Sequence, residues 1–467
     1  MKTLQNNPAS LCDALRVAGD LSGRSLMDAD SRIALSELIS GSALYGRGEE
    51  LRDRSVLLAT KDQLTAVLAL IELDGVARRI VLCPPDLPLE HFPYVMDTAE
   101  VDAVISDRGL PPTGKQRPVY FSPCTKNIHA RSENHDTDQQ TEWILLTSGT
   151  TGAPKLVVHT LKSLTGAIRV GQASSRQIVW STFYDIRRYG GLQIFLRAIL
   201  TGMSLVLSNA QESTADFLAR AASQGITHIS GTPSHWRRAL MSTSVQLIKP
   251  EYVRLSGEIA DQGILNHLRS VYPQARIAHA FASTEAGVAF EVNDEKAGFD
   301  AGAIENTPEV EMKIVDQTLR IRSVRTASRY LGENAPILKG VDGFVNTGDM
   351  VELRNGRYHF AGRQDGMINV GGLKVYPEEI EQVIGRHPEV QMTLVRTKKN
   401  PITGALVVAD VVLKNGHGSG LRDLGTIQED ILLLCRETLS SHKVPAAINF
   451  VSQLPVAESG KVLRRSA

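Results

Sequence analysis

Short apolar runs and helical patterns alternate along the first third of the chain. Val56-Leu-Leu-Ala59, Arg79-Ile-Val-Leu82 and Ala103-Val-Ile-Ser106 read as buried strands, with helical spacing over Gln63 to Leu73 and over Pro88 to Asp97. That rhythm predicts βαβ units and a parallel sheet. It resumes further on, with strands at Ser204 to Leu207 and Thr227 to Ser230 and helices at Thr214 to Gln224 and Pro233 to Met241. Between about residues 309 and 360 the pattern turns to short β runs separated by turns: Glu311 to Val315, Leu319 to Arg322 and Arg357 to Phe360. This predicts a small antiparallel subdomain. After Arg363 comes a unit of about a hundred residues, with helices over Glu378 to Gly385 and Thr426 to Leu439 and strands at Met392 to Val395 and Leu406 to Val412. The polar stretch Asn127 to Gln140 reads as a loop or linker, and no internal repeat is visible.

With 467 residues the chain is long enough for two to four domains. Lys plus Arg equals Asp plus Glu at 51 each, a balance that argues against nucleic acid as the main partner. The cysteines, Cys12, Cys83, Cys124 and Cys435, are far apart and lack metal-ligand spacing, which fits reduced thiols in a cytoplasmic protein. The N-terminus has no apolar signal core, and no run approaches the roughly 20 apolar residues of a membrane span.

The strongest chemical signal is Leu146-Thr-Ser-Gly-Thr-Thr-Gly-Ala-Pro-Lys155, directly after the apolar run Trp143 to Leu146. Gly149 and Gly152 let backbone N–H groups face inward, Thr147, Ser148, Thr150 and Thr151 add hydroxyls, and Lys155 adds charge. Such a loop suits a triphosphate. It is not the common P-loop, because no Gly-Lys-Ser/Thr follows and Pro154 stands where that helix would begin.

Four further motifs follow in order: Phe281-Ala-Ser-Thr-Glu285, Thr347-Gly-Asp349, Gly362-Arg-Gln-Asp-Gly-Met-Ile-Asn369 with Gly371-Gly-Leu-Lys-Val-Tyr-Pro-Glu-Glu-Ile-Glu381, and Ser459-Gly-Lys461. Together with the phosphate loop they resemble the signatures of the adenylate-forming superfamily: acyl- and aryl-CoA synthetases, peptide-synthetase adenylation domains and luciferases. Ala282 stands where that family usually has glycine.

The resemblance implies an α/β fold. Residues 1–362 would form a large N-terminal domain of parallel and mixed sheets flanked by helices plus a β subdomain, and residues 363–467 a small mobile α+β C-terminal domain hinged at Asp365. It implies ATP and Mg²⁺ as cofactors, a small carboxylic acid as substrate, and CoA or a carrier-protein phosphopantetheine as acceptor, in a monomer or homodimer. Lys461 would be the catalytic lysine of the adenylation step, Thr284 would touch the α-phosphate, and Glu285 would hold the metal. Asp349 and Arg363 would bind the ribose, while Gly257, Glu258, Phe281, Ala282 and Ser283 would flank the nucleotide. Gly371, Gly372 and Lys374 would form the loop facing the thiol.

The acid pocket is expected from Thr182 to Gln193 and Gly231 to Trp236, with Tyr184, Asp185, Arg188 and Trp236 as candidates. Relatives often carry His-His or His-Asn in the first segment, where this chain has Arg187-Arg188. An arginine here would suit a second carboxylate on the acid and Asp185 would suit an ammonium; the alternative for both is an internal Asp–Arg pair or plain surface charge.

Overall fold

The computed structural model describes residues 9–109, 120–130, 139–147, 152–169, 177–370, 373–400, 404–414, 423–455 and 462. The first sheet has seven strands, in the order Arg329–Leu331, Lys155–Thr160, Glu142–Thr147, Arg79–Leu82, Ser55–Leu58, Ala103–Ser106 and Tyr120–Pro123. The last five run parallel and the first two are antiparallel to their neighbours. Ser55–Leu58, Arg79–Leu82 and Ala103–Ser106 are buried at every position, as strands covered on both faces must be.

The second sheet has eight strands, in the order Gly287–Val292, Arg276–Ser283, Tyr252–Ser256, His228–Gly231, Val179–Thr182, Ser204–Val206, Ser25–Met27 and Arg32–Ala34. Its six inner strands are parallel.

Helices Gln63–Leu73 and Tyr189–Leu200 lie between the two sheets. One continuous apolar cluster joins them to Val56 and Ile80 of the first sheet and to Trp180 and Leu205 of the second. The far face of the first sheet packs on Phe92, Val95 and Met96, and that of the second on Phe217, Leu218, Trp236, Ile264 and Leu268. Gln63–Leu73 is buried at all eleven positions. Its first turn is held by the Asp62 side chain, which accepts the Thr65 N–H.

The third sheet is the antiparallel subdomain the turn-rich pattern predicts. Its order is Phe299–Asp300, Arg357–Arg363, Val345–Arg354, Thr318–Ser323, Val310–Val315. A single 3-10 turn, Gln364–Gly366, leads from its strand Arg357–Arg363 into the small C-terminal unit. There the hairpin Ile368–Val370/Leu373–Val375 and the sheet Val390–Asn400, Gly404–Leu413, Ala447–Phe450 carry helices Pro377–Ile384 and Leu424–Thr438 on a separate apolar core.

Two expectations need adjusting, and one region carries structure that no expectation covered. The helix expected over Pro88 to Asp97 is a 3-10 turn, Leu89–His91, followed by Phe92–Thr98; Pro93 has no N–H to give and fits only the first turn of the α-helix. Within the stretch 127–140, His129–Ala130 pairs with Gly41–Ser42, and residues 131–138 lie outside the described part. Residues Leu11–Val17, Ser25–Met27 and Arg32–Ala34, which carry no strong pattern, form a helix and two strands, the strands extending the second sheet. All four cysteines are buried thiols, and burial pushes Cys83 up to about 12 and Cys435 up to about 11, which holds both protonated.

Candidate active site

The motifs converge where strands of the first and second sheets end. Strand Glu142–Thr147 runs into the phosphate loop, and the chain returns antiparallel along Lys155–Thr160 with Lys155 directly opposite Thr147. Both ends of the loop are therefore fixed by sheet pairing. Ser148, Gly149, Thr150 and Thr151 lie outside the described residues, and Gly152 takes the left-handed conformation, φ +90°, that glycine adopts without strain. The Thr147 hydroxyl, on the last described residue before the loop, is buried without a partner among the described residues.

The second motif follows strand Arg276–Ser283 as a tight turn. Ala286 N donates to Ser283 Oγ at 3.0 Å, the Glu285 carbonyl accepts from Ala327 N at 2.9 Å, and the Thr284 carbonyl lies 2.7 Å from His159 Nε2. Glu285 Oε1 accepts from the Tyr330 hydroxyl at 3.2 Å. Lys155 Nζ sits 5.4 Å from the centre of the same tyrosine ring. Burial and then the Glu285 charge raise the Tyr330 hydroxyl's pKa, so it stays a donor. Lys155, Tyr330 and Glu285 thus form one contiguous set drawn from three segments.

Asp349 and Arg363 come from the third sheet, where they are cross-strand partners. Gly348 just before Asp349 has φ +73°, and a Cβ there would meet the Arg363 guanidinium at 3.4 Å. Arg363 Nε donates to Asp365 Oδ1 at 3.0 Å. Burial works against the Arg363 charge, but the Asp365 hydrogen bond and the Asp349 and Glu285 carboxylates more than offset it, and its pKa is raised. Asp365 behaves in mirror image: burial opposes its charge, yet Arg363 and, more weakly, Lys155 bring its pKa below the usual carboxylate value. These mutual fields gather Lys155, Glu285, Asp349, Arg363 and Asp365, spread over 211 positions of sequence, into one charged locus.

Gly257, φ +83°, follows strand Tyr252–Ser256, and Glu258 next to it accepts the Ser234 N–H at 2.9 Å, capping helix Pro233–Ala239. The Phe281 ring stacks on Phe360 at 5.2 Å and on Phe290 at 5.8 Å, and Ala282 packs half-buried against the main core. Lys374 lies exposed opposite Asn369 in the C-terminal hairpin, while Gly371, Gly372 and Lys461 fall outside the described residues.

The acid-pocket candidates require correction. Asp185 and Arg187 hold each other: Arg187 Nε donates to Oδ1 at 2.8 Å and Arg187 Nη2 to Oδ2 at 2.5 Å, with the arginine only 1% exposed. The internal pair therefore replaces the ammonium reading of Asp185. Arg188 is bound to Asp86 at 2.6 Å. Trp236 is fully buried in the core beyond the second sheet, edge-on to Phe183 and Tyr272, because its helix turns that face onto the sheet. Tyr184 donates its hydroxyl to the Ser256 carbonyl at 2.6 Å. It stands edge-on to His235, which in turn stacks on Phe183, so that an aromatic group lies at the ends of the second sheet's strands.

The AMP-binding enzyme family matches residues 42–327, and the AMP-binding enzyme C-terminal domain matches residues 379–461. The chain belongs to the AMP-binding enzymes. A 2-succinylbenzoate–CoA ligase of Bacillus cereus is 25% identical over 441 residues, covering 89% of this chain and 88% of that protein. A probable non-canonical nonribosomal peptide synthetase, CymA of Salinispora arenicola, is 24% identical over 467 residues, but the match spans only 6% of its length. The anthranilate CoA ligase AuaEII, solved in complex with anthranoyl-AMP, superposes with a TM-score of 0.79 at 17% identity, covering 99% of this chain and 97% of that one.

As an AMP-binding enzyme the chain is an AMP-forming ligase that activates a carboxylic acid with ATP. Its residues fit the metal that accompanies ATP in such chemistry: Glu285 offers Oε2, which takes no partner among the described residues, as a hard oxygen donor beside the phosphate loop. Sequence reasoning missed Tyr330 and His159. Tyr330 carries no motif signal, whereas a histidine inside the apolar run Leu156-Val-Val-His159 could have drawn attention. Among the described residues no helix is long and apolar enough to cross a membrane.

Proposed function

We propose that this enzyme joins a small aromatic carboxylic acid to the thiol of CoA in two steps. In the first, the acid's carboxylate attacks the α-phosphorus of ATP, the bond to the β-phosphate oxygen breaks, and acyl-adenylate and pyrophosphate form. In the second, the CoA sulfur attacks the acyl carbon, and AMP leaves as the phosphate oxygen takes the electron pair. The first step brings anions together, so its catalysis rests on charge stabilisation and positioning.

Lys155 and the loop's N–H groups and hydroxyls receive the phosphates. Glu285, steadied by Tyr330, would hold Mg²⁺, whose charge would neutralise that of the phosphates. Thr284 touches the α-phosphate, and Asp349 with Arg363 takes the ribose hydroxyls. Lys461 reaches the carboxylate and phosphate oxygens in one placement of the C-terminal unit, which turns at Asp365. In the other placement Gly371, Gly372 and Lys374 face the thiol.

The observation that carries this reading is the gathering of Lys155, Glu285 and Arg363 around Tyr330 at the strand ends, with Asp349 held beside Arg363 as its cross-strand partner. The aromatic class of acid is supported by the names of the relatives and by the Phe183, Tyr184 and His235 rings at the same end of the second sheet. The test is pyrophosphate release from ATP and Mg²⁺ with 2-succinylbenzoate, anthranilate, benzoate, and aliphatic and amino acids, each with and without CoA, and with Lys461→Ala as control. Turnover that needs an aromatic acid and CoA and is lost in the variant is expected. Adenylate that accumulates without CoA turnover would point instead to a carrier-protein thiol.

A further inference from the structure

His159 is a wholly buried polar side chain with no part in the chemistry above. It lies on strand Lys155–Thr160, four residues after Lys155 and on the same face by strand alternation. Its Nε2 is 2.7 Å from the Thr284 carbonyl oxygen and its Nδ1 is 2.9 Å from Ser163 Oγ. A carbonyl can only accept, so Nε2 carries the proton and Nδ1 is the acceptor, for which the Ser163 hydroxyl is shared with the Thr160 carbonyl at 3.0 Å.

The neighbours Leu156, Val157 and Val158 are the residues a strand uses when packing is the only demand, and an imidazole in their company must be fully hydrogen-bonded to be tolerated. Here both nitrogens are. Every other fixed point of the Ser283–Ala286 turn belongs to the turn itself or to the 327–330 segment: Ser283 Oγ, Ala327 N and the Tyr330 hydroxyl. Among these contacts the His159 bond alone reaches the turn directly from the strand that bears the phosphate loop; the Ala327 and Tyr330 contacts reach it through the neighbouring strand Arg329–Leu331 and the residues that lead into it.

We propose that His159 is a positioning residue for adenylation: by donating Nε2–H to the Thr284 carbonyl it fixes the Thr284–Glu285 peptide, and so the aim of the Thr284 hydroxyl and the Glu285 carboxylate, relative to Lys155. This rests on the roles given above to Thr284 and Glu285.

The test compares His159→Gln with His159→Asn in the full chain. A glutamine amide nitrogen reaches the place of Nε2, whereas an asparagine nitrogen stops at that of Nδ1. Each variant gives up one of the ring's two hydrogen bonds, the glutamine that to Ser163 and the asparagine that to Thr284, so a merely structural role would score them alike. Two readouts are taken: kcat for pyrophosphate release with 2-succinylbenzoate, anthranilate or benzoate, and the ratio of ATP affinities with and without Mg²⁺ by calorimetry. His159→Gln is expected to stay within about threefold of the parent in both, and His159→Asn to lose about tenfold in kcat and most of the Mg²⁺-dependent gain in affinity, with KM for the acid little changed.

Equal behaviour of the two variants, or parental values in His159→Asn, would overturn the proposal. If the parent releases no pyrophosphate with any of these acids, the functional reading fails, and the affinity ratio still judges His159. Should neither variant fold, Ser163→Ala keeps the ring but removes what orients it. It is expected to lower both readouts about threefold, and parental values there would count against the proposal.

Discussion

Arg187 joins the two central sheets, and its removal gives a sharp measure of that link. Its guanidinium binds the Asp185 carboxylate through two nitrogens and reaches across to the carbonyls of Thr60 and Lys61 in the loop after first-sheet strand Ser55–Leu58. With Arg187 1% exposed and the Asp185 side chain 11% exposed, water cannot replace these partners. Replacing Arg187 by methionine keeps the volume but leaves a buried carboxylate with the backbone N–H of residue 187 and no counter-charge, and the Thr60 carbonyl without the guanidinium, a loss of about 3–5 kcal/mol. Unfolding entropy of about 2.1 cal/mol/K per residue over the roughly 360 residues of the large unit converts 4 kcal/mol to a fall of about 5 °C in Tm. Asp185→Leu alone should cost a similar amount, because it leaves the cation stranded. The double variant, with neither charge present, should recover most of the loss and fall only about 2 °C. Calorimetric melting of all four proteins tests this. A fall under about 1 °C for Arg187→Met, or a double variant as poor as the sum of the singles, would refute the reasoning. Acid preference should be unchanged in every folded variant, since the pair is internal.

Three smaller predictions follow from the same geometry. Tyr330→Phe removes the hydroxyl from Glu285 while keeping the ring near Lys155, and should raise the Mg²⁺ concentration for half-maximal pyrophosphate release about fivefold, the ~1 kcal/mol of one hydrogen bond; an unchanged Mg²⁺ curve would show that the contact is idle. Burial pushes the Asp74 carboxyl up to about 7 against the N–H groups of Leu11 and Trp143 that favour its charge, so this group's share of stability is full below about pH 4 and is lost as pH rises through 7. Melting curves from pH 5 to 8 should show that decline, and Asp74→Asn should flatten it. Gly191→Ala would set a Cβ 2.2 Å from the Asp185 carbonyl oxygen, whereas Gly190→Ala meets only the Tyr184 ring at 3.4 Å; the first should lower Tm by several degrees more than the second.

What could be read from the sequence was what depends on local pattern. Four-residue strands buried on both faces, such as Ser55–Leu58 and Arg79–Leu82, stand out as apolar runs, and the hairpins of the third sheet announce themselves through turns. Motif residues with special chemistry, Glu285, Asp349 and Arg363, were found the same way, and the structure brings them to one place. Long-range partners were not legible. Nothing local in Ser25-Leu-Met27 says that it pairs with Ser204–Val206, or in Tyr330 that its hydroxyl meets Glu285. Asp185 and Arg188 stood as candidate substrate contacts beside the alternative of an internal pair, because the sequence shows charge but neither burial nor partner. Trp236 misled for a related reason: helix Pro233–Ala239 is short, and its periodicity did not reveal which face would turn inward.

The place of the first strands in the second sheet also bears on how the protein is born. Ser25 N donates to Ser204 Oγ, a partner 179 residues later in the chain. At about 5–20 residues per second, translation takes on the order of ten seconds or more to deliver it. Throughout that interval strand Ser25–Met27 has only Arg32–Ala34 to pair with, and the edge that will meet Ser204–Val206 stays open. The ribosome therefore makes early a hairpin that the second sheet can accommodate only late, which makes residues 25–34 a sensitive point for chaperone capture and for changes that delay their docking.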